Sequence, residues 1–141
     1  MDLSGIAAAA KAPPPPPGAS YVLELDEQSF EPTIQLSVRH PVVVELYSPR
    51  ANAQELSDDL IALANAAGGK YLLARANVDA VPQIAAAFGI QAVPTVIGVV
   101  GGQLAPLFQG TRPKAEVEAI LAQLLQAAAG AGVVGIAEPV S

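Results

Sequence analysis

Cysteine and tryptophan are absent from the 141 residues, and histidine and methionine occur once each. With no thiol, a disulfide scaffold, a cysteine nucleophile and a thiolate metal site are all excluded. The single histidine, His40, has no companion to make a metal-binding cluster, so neither a metal nor another cofactor is expected. Cations are scarce as well. Seven Lys plus Arg against thirteen Asp plus Glu leave a net charge of -6, whereas nucleic acid and anionic lipid are bound by clustered positive charge. Both are set aside as partners. Aromatic residues make up only 4% of a chain that is 52% apolar, so the core is built from Ala, Val, Leu and Ile. This is a globular composition of single-domain length.

Long uninterrupted hydrophobic spans are missing too. Ala80 to Thr111 carries no charge, but Pro82, Pro94, Pro106 and the Gly101-Gly102 pair break it, which fits short buried strands and not a spanning helix. The N-terminal apolar patch follows Asp2 instead of a basic region and runs into five prolines, unlike a signal peptide. A soluble, cytoplasmic protein is the expectation.

Three segments are anticipated: a flexible Ala/Pro-rich tail over 1–19, a folded domain over 20–127, and a linker over 128–141. Pro13 to Pro17 can take only extended polyproline geometry and reads as a semi-rigid spacer, the alternative being a ligand for a proline-reading domain. Strands are expected at Tyr21–Leu25, Val42–Tyr47, Tyr71–Val78, Thr95–Val100 and Gln103–Gln109, the last two joined by a Gly101-Gly102 hairpin. Asp26 and Ser29 offer capping oxygens for a helix over roughly Phe30–Val38. Helical periodicity in Leu56, Leu60, Ile61, Leu63 and Ala64 stops at Gly68-Gly69. A short helix takes Val81–Phe88, and Pro113 opens a final helix with Val117, Ile120, Leu121, Leu124 and Leu125 on one stripe. The order β-α-β-α-β-α-β-β-α implies parallel strands joined by crossovers, with an antiparallel hairpin at the edge. The fold class is α/β, a mixed sheet flanked by helices. The tail Gln126–Ser141, apolar and glycine-rich with Glu138 its only charge, is expected not to pack on the domain.

VVVELYSPRANAQ (Val42–Gln54) resembles the strand, loop and helix start of thioredoxins. ARANVDAVPQIAAAFGIQAVPTVIGVVGGQ resembles the thioredoxin stretch that leads into its Val-Pro-Thr segment, and PLFQGTRPKAEVEAILAQLL its closing strand and helix. The likeness spans about Tyr21 to Gln126. The Asp-Leu-Ser-Gly start, the proline spacer, GGQLAPLFQG and LLQAAAGAGVVG further resemble the YbbN-type co-chaperones (chaperedoxins) of actinobacteria. In that family a thioredoxin domain, often without a working cysteine pair, precedes tetratricopeptide repeats, and no such repeats occur here.

The resemblance implies that Ala51, Asn52, Ala53 and Gln54 occupy the reactive CxxC positions, with Ala51 and Gln54 in place of the cysteines. Thiol exchange needs an attacking thiolate and a resolving thiol, so no oxidoreductase activity, and no enzyme, is expected. Glu45 falls at the buried acid position, a relic without a thiol to serve; alternatively it reaches water or pairs with Arg50. Pro94 is expected in the cis form after Val93, exposing a backbone edge that in the family binds extended polypeptide; the alternative is a mere turn former. Tyr47, Arg50, Ala51, Asn52, Val93, Pro94 and Thr95 are the candidate polypeptide-binding patch, against a reading in which Tyr47 is core and Arg50 a solvated charge. The function expected is a redox-inactive thioredoxin-fold module that binds unfolded polypeptides or chaperones within a YbbN-like co-chaperone. The alternative is a structural adaptor that touches no client. Glutathione conjugation or peroxide reduction is disfavoured, since the first needs a further helical domain and the second a cysteine.

Overall fold

The computed structural model describes residues 20–51, 53–90 and 92–137. Five strands form one sheet in the order β1-β3-β2-β4-β5: β1 Val22–Glu24, β2 Val42–Tyr47, β3 Leu72–Asn77, β4 Thr95–Val100 and β5 Gln103–Gln109. β1 and β2 both run parallel to β3, β4 is antiparallel to β2, and β5 is antiparallel to β4. The helices are α1 Glu27–Gln35, α2 Gln54–Ala67, α3 Pro82–Phe88 and α4 Lys114–Gly130. The expected α/β class and element order are both present.

The sheet is buried on both faces because its central strands are apolar at successive positions, as parallel crossovers require. Val43, Leu73 and Val96 pack under Leu56, Leu60 and Ala64 of α2 and Val117, Leu121 and Leu124 of α4. On the opposite face Val42, Val44, Leu46, Ala74, Ala76 and Ile97 meet Ile84 of α3 and the half-buried Phe30 and Ile34 of α1. Phe30 and Phe88 tie the two helices of that layer edge to face, with ring centroids 5.6 Å apart.

Two expectations need correction. α1 begins at Glu27, three residues ahead of the anticipated start. Asp26 accepts the Ser29 backbone N–H at 2.7 Å while the Ser29 hydroxyl accepts the Asp26 N–H at 3.0 Å, a reciprocal cap that starts the helix there. Pro32 lies in the second turn of this helix, and after Gln35 the chain tightens into a 3-10 turn at Leu36–Val38 instead of continuing as α-helix. The second correction is the tail. α4 runs on to Gly130, and Val133 and Ala137 are buried, 8% and 4% exposed, with Ala137 against Tyr21 and Leu72 at the start of the sheet. The segment expected to stay off the domain packs on it as far as Ala137. The 1–19 tail and 138–141 lie outside the described residues.

Candidate functional site

The strands bring the marked residues to one end of the sheet. β2 ends at Tyr47, a 3-10 turn follows at Pro49–Ala51, and α2 starts at Gln54. Leu46 pairs with Thr95 in the β2–β4 register, so the Val93–Thr95 segment enters the sheet beside the exit of β2. Asn52 lies outside the described residues.

The turn is pinned by hydrogen bonds. The Ser48 hydroxyl donates to Asp79 Oδ2 at 2.6 Å and accepts the Arg50 backbone N–H at 3.2 Å. The Arg50 guanidinium grips the same carboxylate through Nη2 (2.8 Å) and Nε (3.3 Å). These donors, Arg50 first, hold the Asp79 carboxyl below its ordinary value, and the same bond raises Arg50. Ala51 is half-buried; Gln54 is exposed and donates to Asp58 along α2 at 2.9 Å. Beside the turn, the Val93–Pro94 peptide bond is cis, as the resemblance implied. The Pro94 carbonyl accepts the Gly110 N–H at 2.8 Å, and the Thr95 hydroxyl, 3% exposed, donates to the Ala92 carbonyl. Ala92 is exposed and Val93 half-buried. A depression of about 410 Å³ adjoins the start of α2, lined by Ala53, Leu56 and Pro113 together with Glu55, Asp59 and Arg112.

Beneath the turn lies an ion row. Glu45 is fully buried and accepts the Ser57 hydroxyl of α2 at 2.5 Å and Arg75 Nε at 2.9 Å. Arg75 also donates to Glu24 through Nη1 at 3.0 Å, and its guanidinium lies 4.2 Å from the Tyr47 ring centroid. The Tyr47 hydroxyl closes the circuit by donating to Glu24 at 2.8 Å. The strand register explains the row: Glu24, Arg75 and Glu45 are lateral neighbours on β1, β3 and β2. Burial opposes the Arg75 charge, but Glu45 and Glu24 outweigh it and the guanidinium is raised. Burial, then the bond to Glu24, pushes the Tyr47 phenol up to about 12.

Glu45 therefore pairs with Arg75 and not with Arg50, whose partner is Asp79. The geometry explains why: Arg50 is beyond the end of β2, whereas Arg75 lies directly across from Glu45. Tyr47 is neither core nor open surface; it is a half-buried member of the row. Arg75 and Asp79 went unmarked in the sequence, although a lone arginine inside the strand LLARAN was a visible signal. His40 is buried, 4% exposed, with a ring nitrogen 3.0 Å from the Pro41 carbonyl at the opposite end of β2. Among the described residues no cluster of His, Asp and Glu is arranged to hold a metal. The Asp79 and Glu45 carboxylates are held by arginines, whereas Glu55 and Asp59 face the depression, and the chain's one histidine, His40, is at the other end of β2. No cysteine is present at the turn or elsewhere in the chain.

The family model described as Thioredoxin matches residues 21–123, most of the chain and all five strands. The chain belongs to the thioredoxin family. Similar proteins include an uncharacterized protein of Mycobacterium tuberculosis and another of Mycobacterium bovis, each 41% identical over 140 residues. The match covers 92% of this chain but 46% of each relative, so the chain spans about half the length of the curated relatives it matches. Among the described residues, no helix of this thioredoxin domain is long and apolar enough to cross a membrane.

Proposed function

We propose that this domain is a redox-inactive thioredoxin-fold module that binds partly unfolded polypeptides or chaperones, as part of a longer YbbN-like co-chaperone. The observation that carries the reading is the end of the sheet around Ala51. The Pro49–Ala51 turn and the cis Val93–Pro94 segment lie at one end of the sheet with the buried Glu45 on the strand that leads to them, and the sequence holds no cysteine. A client would meet Arg50, Ala51, Ala92 and Val93 directly, with the neighbouring depression available to a side chain. Tyr47 and Thr95 would act from behind, since both are held by internal hydrogen bonds. Contact would rest on backbone groups and apolar surface, with no covalent step. The length of the relatives agrees with a module of a larger polypeptide.

One feature favours the adaptor reading. Arg50 and Ser48 are already spent on Asp79, which leaves the turn closed on itself. The two readings separate in an aggregation assay: a chemically unfolded client is diluted with and without the chain, and light scattering is followed. Suppression near equimolar ratio, weakened by Arg50→Glu or Ala51→Glu, supports client binding. Absence of suppression assigns this domain the adaptor role.

A further inference from the structure

The parallel strands β1, β2 and β3 all begin at the pole opposite the turn, and the chain's last described residues cross that pole. α4 closes with Gly132 at φ 82°, its N–H bonded to the Ala129 carbonyl (3.0 Å) and that of Val133 to Ala128 (2.9 Å). This double closure reverses the chain and aims it back at the domain. From there the side chains alternate. Val133 and Ala137 point inward, 8% and 4% exposed, and Val134 and Ile136 outward, 67% and 45% exposed. The Gly135 N–H donates to the Arg39 carbonyl at 2.7 Å and the Ala137 N–H to the Gly69 carbonyl at 2.8 Å. Ala137 sits with Tyr21 and Leu72.

Glycine makes both contacts possible. A Cβ on Gly135 would fall inside the Arg39 carbonyl oxygen, a backbone atom that cannot swing away. A Cβ on Gly69 would lie 2.8 Å from Ile136 Cγ2 and 2.9 Å from the Ala137 carbonyl oxygen. The groove thus reads a polypeptide by main-chain hydrogen bonds and by size: a large apolar residue, a glycine two positions on, an alanine two further. Backbone bonding with alternate side chains in pockets is how strand-like peptides are recognised.

We propose that this groove is a second polypeptide-binding site, held closed by the chain's own Val133–Ala137 as an autoinhibitory strap. Its ligand class is an extended segment of the pattern large apolar, any, Gly, any, Ala, of which the strap is the occupant in cis. β2 separates the groove from the Pro49–Ala51 turn by six residues, about 20 Å of strand, so the site is independent of the polypeptide surface proposed above. The strap is held by two inward side chains and two hydrogen bonds, against the four buried residues of α4. It therefore opens locally while the domain stays folded.

The test uses the full chain and a fluorescein-labelled peptide of residues 131–137, followed by anisotropy. In the wild type the tethered strap competes with the peptide and weakens its apparent binding. Gly135→Val expels the strap, and the peptide then binds saturably and at least tenfold more tightly than to wild type. A peptide carrying Val in place of its second glycine binds neither protein. Equal affinities for wild type and Gly135→Val, or equal binding of the altered peptide, overturn the proposal. Should circular dichroism show Gly135→Val unfolded, hydrogen exchange on the wild type decides: saturating peptide accelerates the Gly135 and Ala137 amides at least fivefold, and unchanged exchange overturns the strap. A wild-type dimer on sizing whose dissociation frees those amides places a second copy in the groove and overturns the assignment in cis.

Discussion

Replacing Arg75 by methionine keeps the aliphatic stem in the sheet and removes the charge that faces Glu45. Glu45 has no exposure, Arg75 retains only 15% of its side-chain surface, and Ser57 becomes the one remaining partner of the carboxylate. Breaking a buried pair from one side costs about 3–5 kcal/mol, because the surviving charge stays desolvated. The residual exposure of Arg75 sets the value near the lower bound, about 3 kcal/mol, a large share of the roughly 5–15 kcal/mol that holds a domain. For a domain of this size that lowers Tm by on the order of 10 °C. The outer pair is a different case. Glu24 is 55% exposed, so Glu24→Gln costs about 1 kcal/mol or less. The double variant Glu45→Leu/Arg75→Met removes both charges and is more stable than Arg75→Met alone. Urea unfolding at neutral pH measures all four proteins. Arg75→Met within about 1 kcal/mol of wild type, or a double variant no more stable than the single, refutes the account of Glu45 as a desolvated carboxylate dependent on Arg75.

Three further outcomes follow from the same geometry. Burial and the bond to Glu24 favour the neutral Tyr47 phenol, so the stability it contributes is whole below its ordinary pKa of 10.0 and is lost as pH rises toward about 12; Tyr47→Phe removes that part of the alkaline loss, and the difference in absorbance near 295 nm between wild type and Tyr47→Phe shows this tyrosine ionising late. Asp79 is held low by Arg50 and Ser48, so its contribution is present above its ordinary value of 3.8 and fades as pH falls below it; the Tm gap between wild type and Asp79→Asn seen at neutral pH closes in acid, and a gap that persists there contradicts the assignment. Gly98 on β4 has no room for a side chain, since a Cβ would meet the Leu124 methyls at 2.8 and 3.0 Å; Gly98→Val costs about 1–3 kcal/mol by denaturant titration, part of which Leu124→Ala in the same chain restores.

Local signals carried most of the fold. β2, β4 and β5 begin and end where apolar runs meet proline or glycine, and those limits match the sequence reading residue for residue. α1 differed because a reciprocal Asp26–Ser29 cap outranks the later apolar residues in choosing where a helix starts. The remaining misses share a cause: each depends on partners distant in sequence. Glu45 and Arg75 are 30 residues apart and meet only through the β2–β3 register, and Arg50 reaches Asp79 across 29 residues. The tail looked homeless because its groove is assembled from Tyr21, Arg39, Gly69 and Leu72, which composition cannot bring together. Gly68-Gly69 was legible as a helix stop; the second role of Gly69, as the close-approach site for Ile136 and Ala137, was not.

A buried ion row beneath a turn without thiols calls for a reason other than proton transfer or net stability, since well-packed apolar side chains serve stability as well or better. Register supplies one. The purely apolar parts of β2, Val42–Val44, would tolerate a slip by one residue, because valine fits either face of this doubly covered sheet. Glu45 would not: a slip turns its carboxylate from Arg75 and Ser57 into the layer of Leu46, Ala76 and Ile84 without a partner. The row therefore fixes β1, β3 and β2 against one another at the end where the turn emerges, and Ser48 and Arg50 extend the fixation onto the β3–α3 loop through Asp79. What the network secures is the position of the Pro49–Ala51 surface, a property that the binding or docking module proposed above requires.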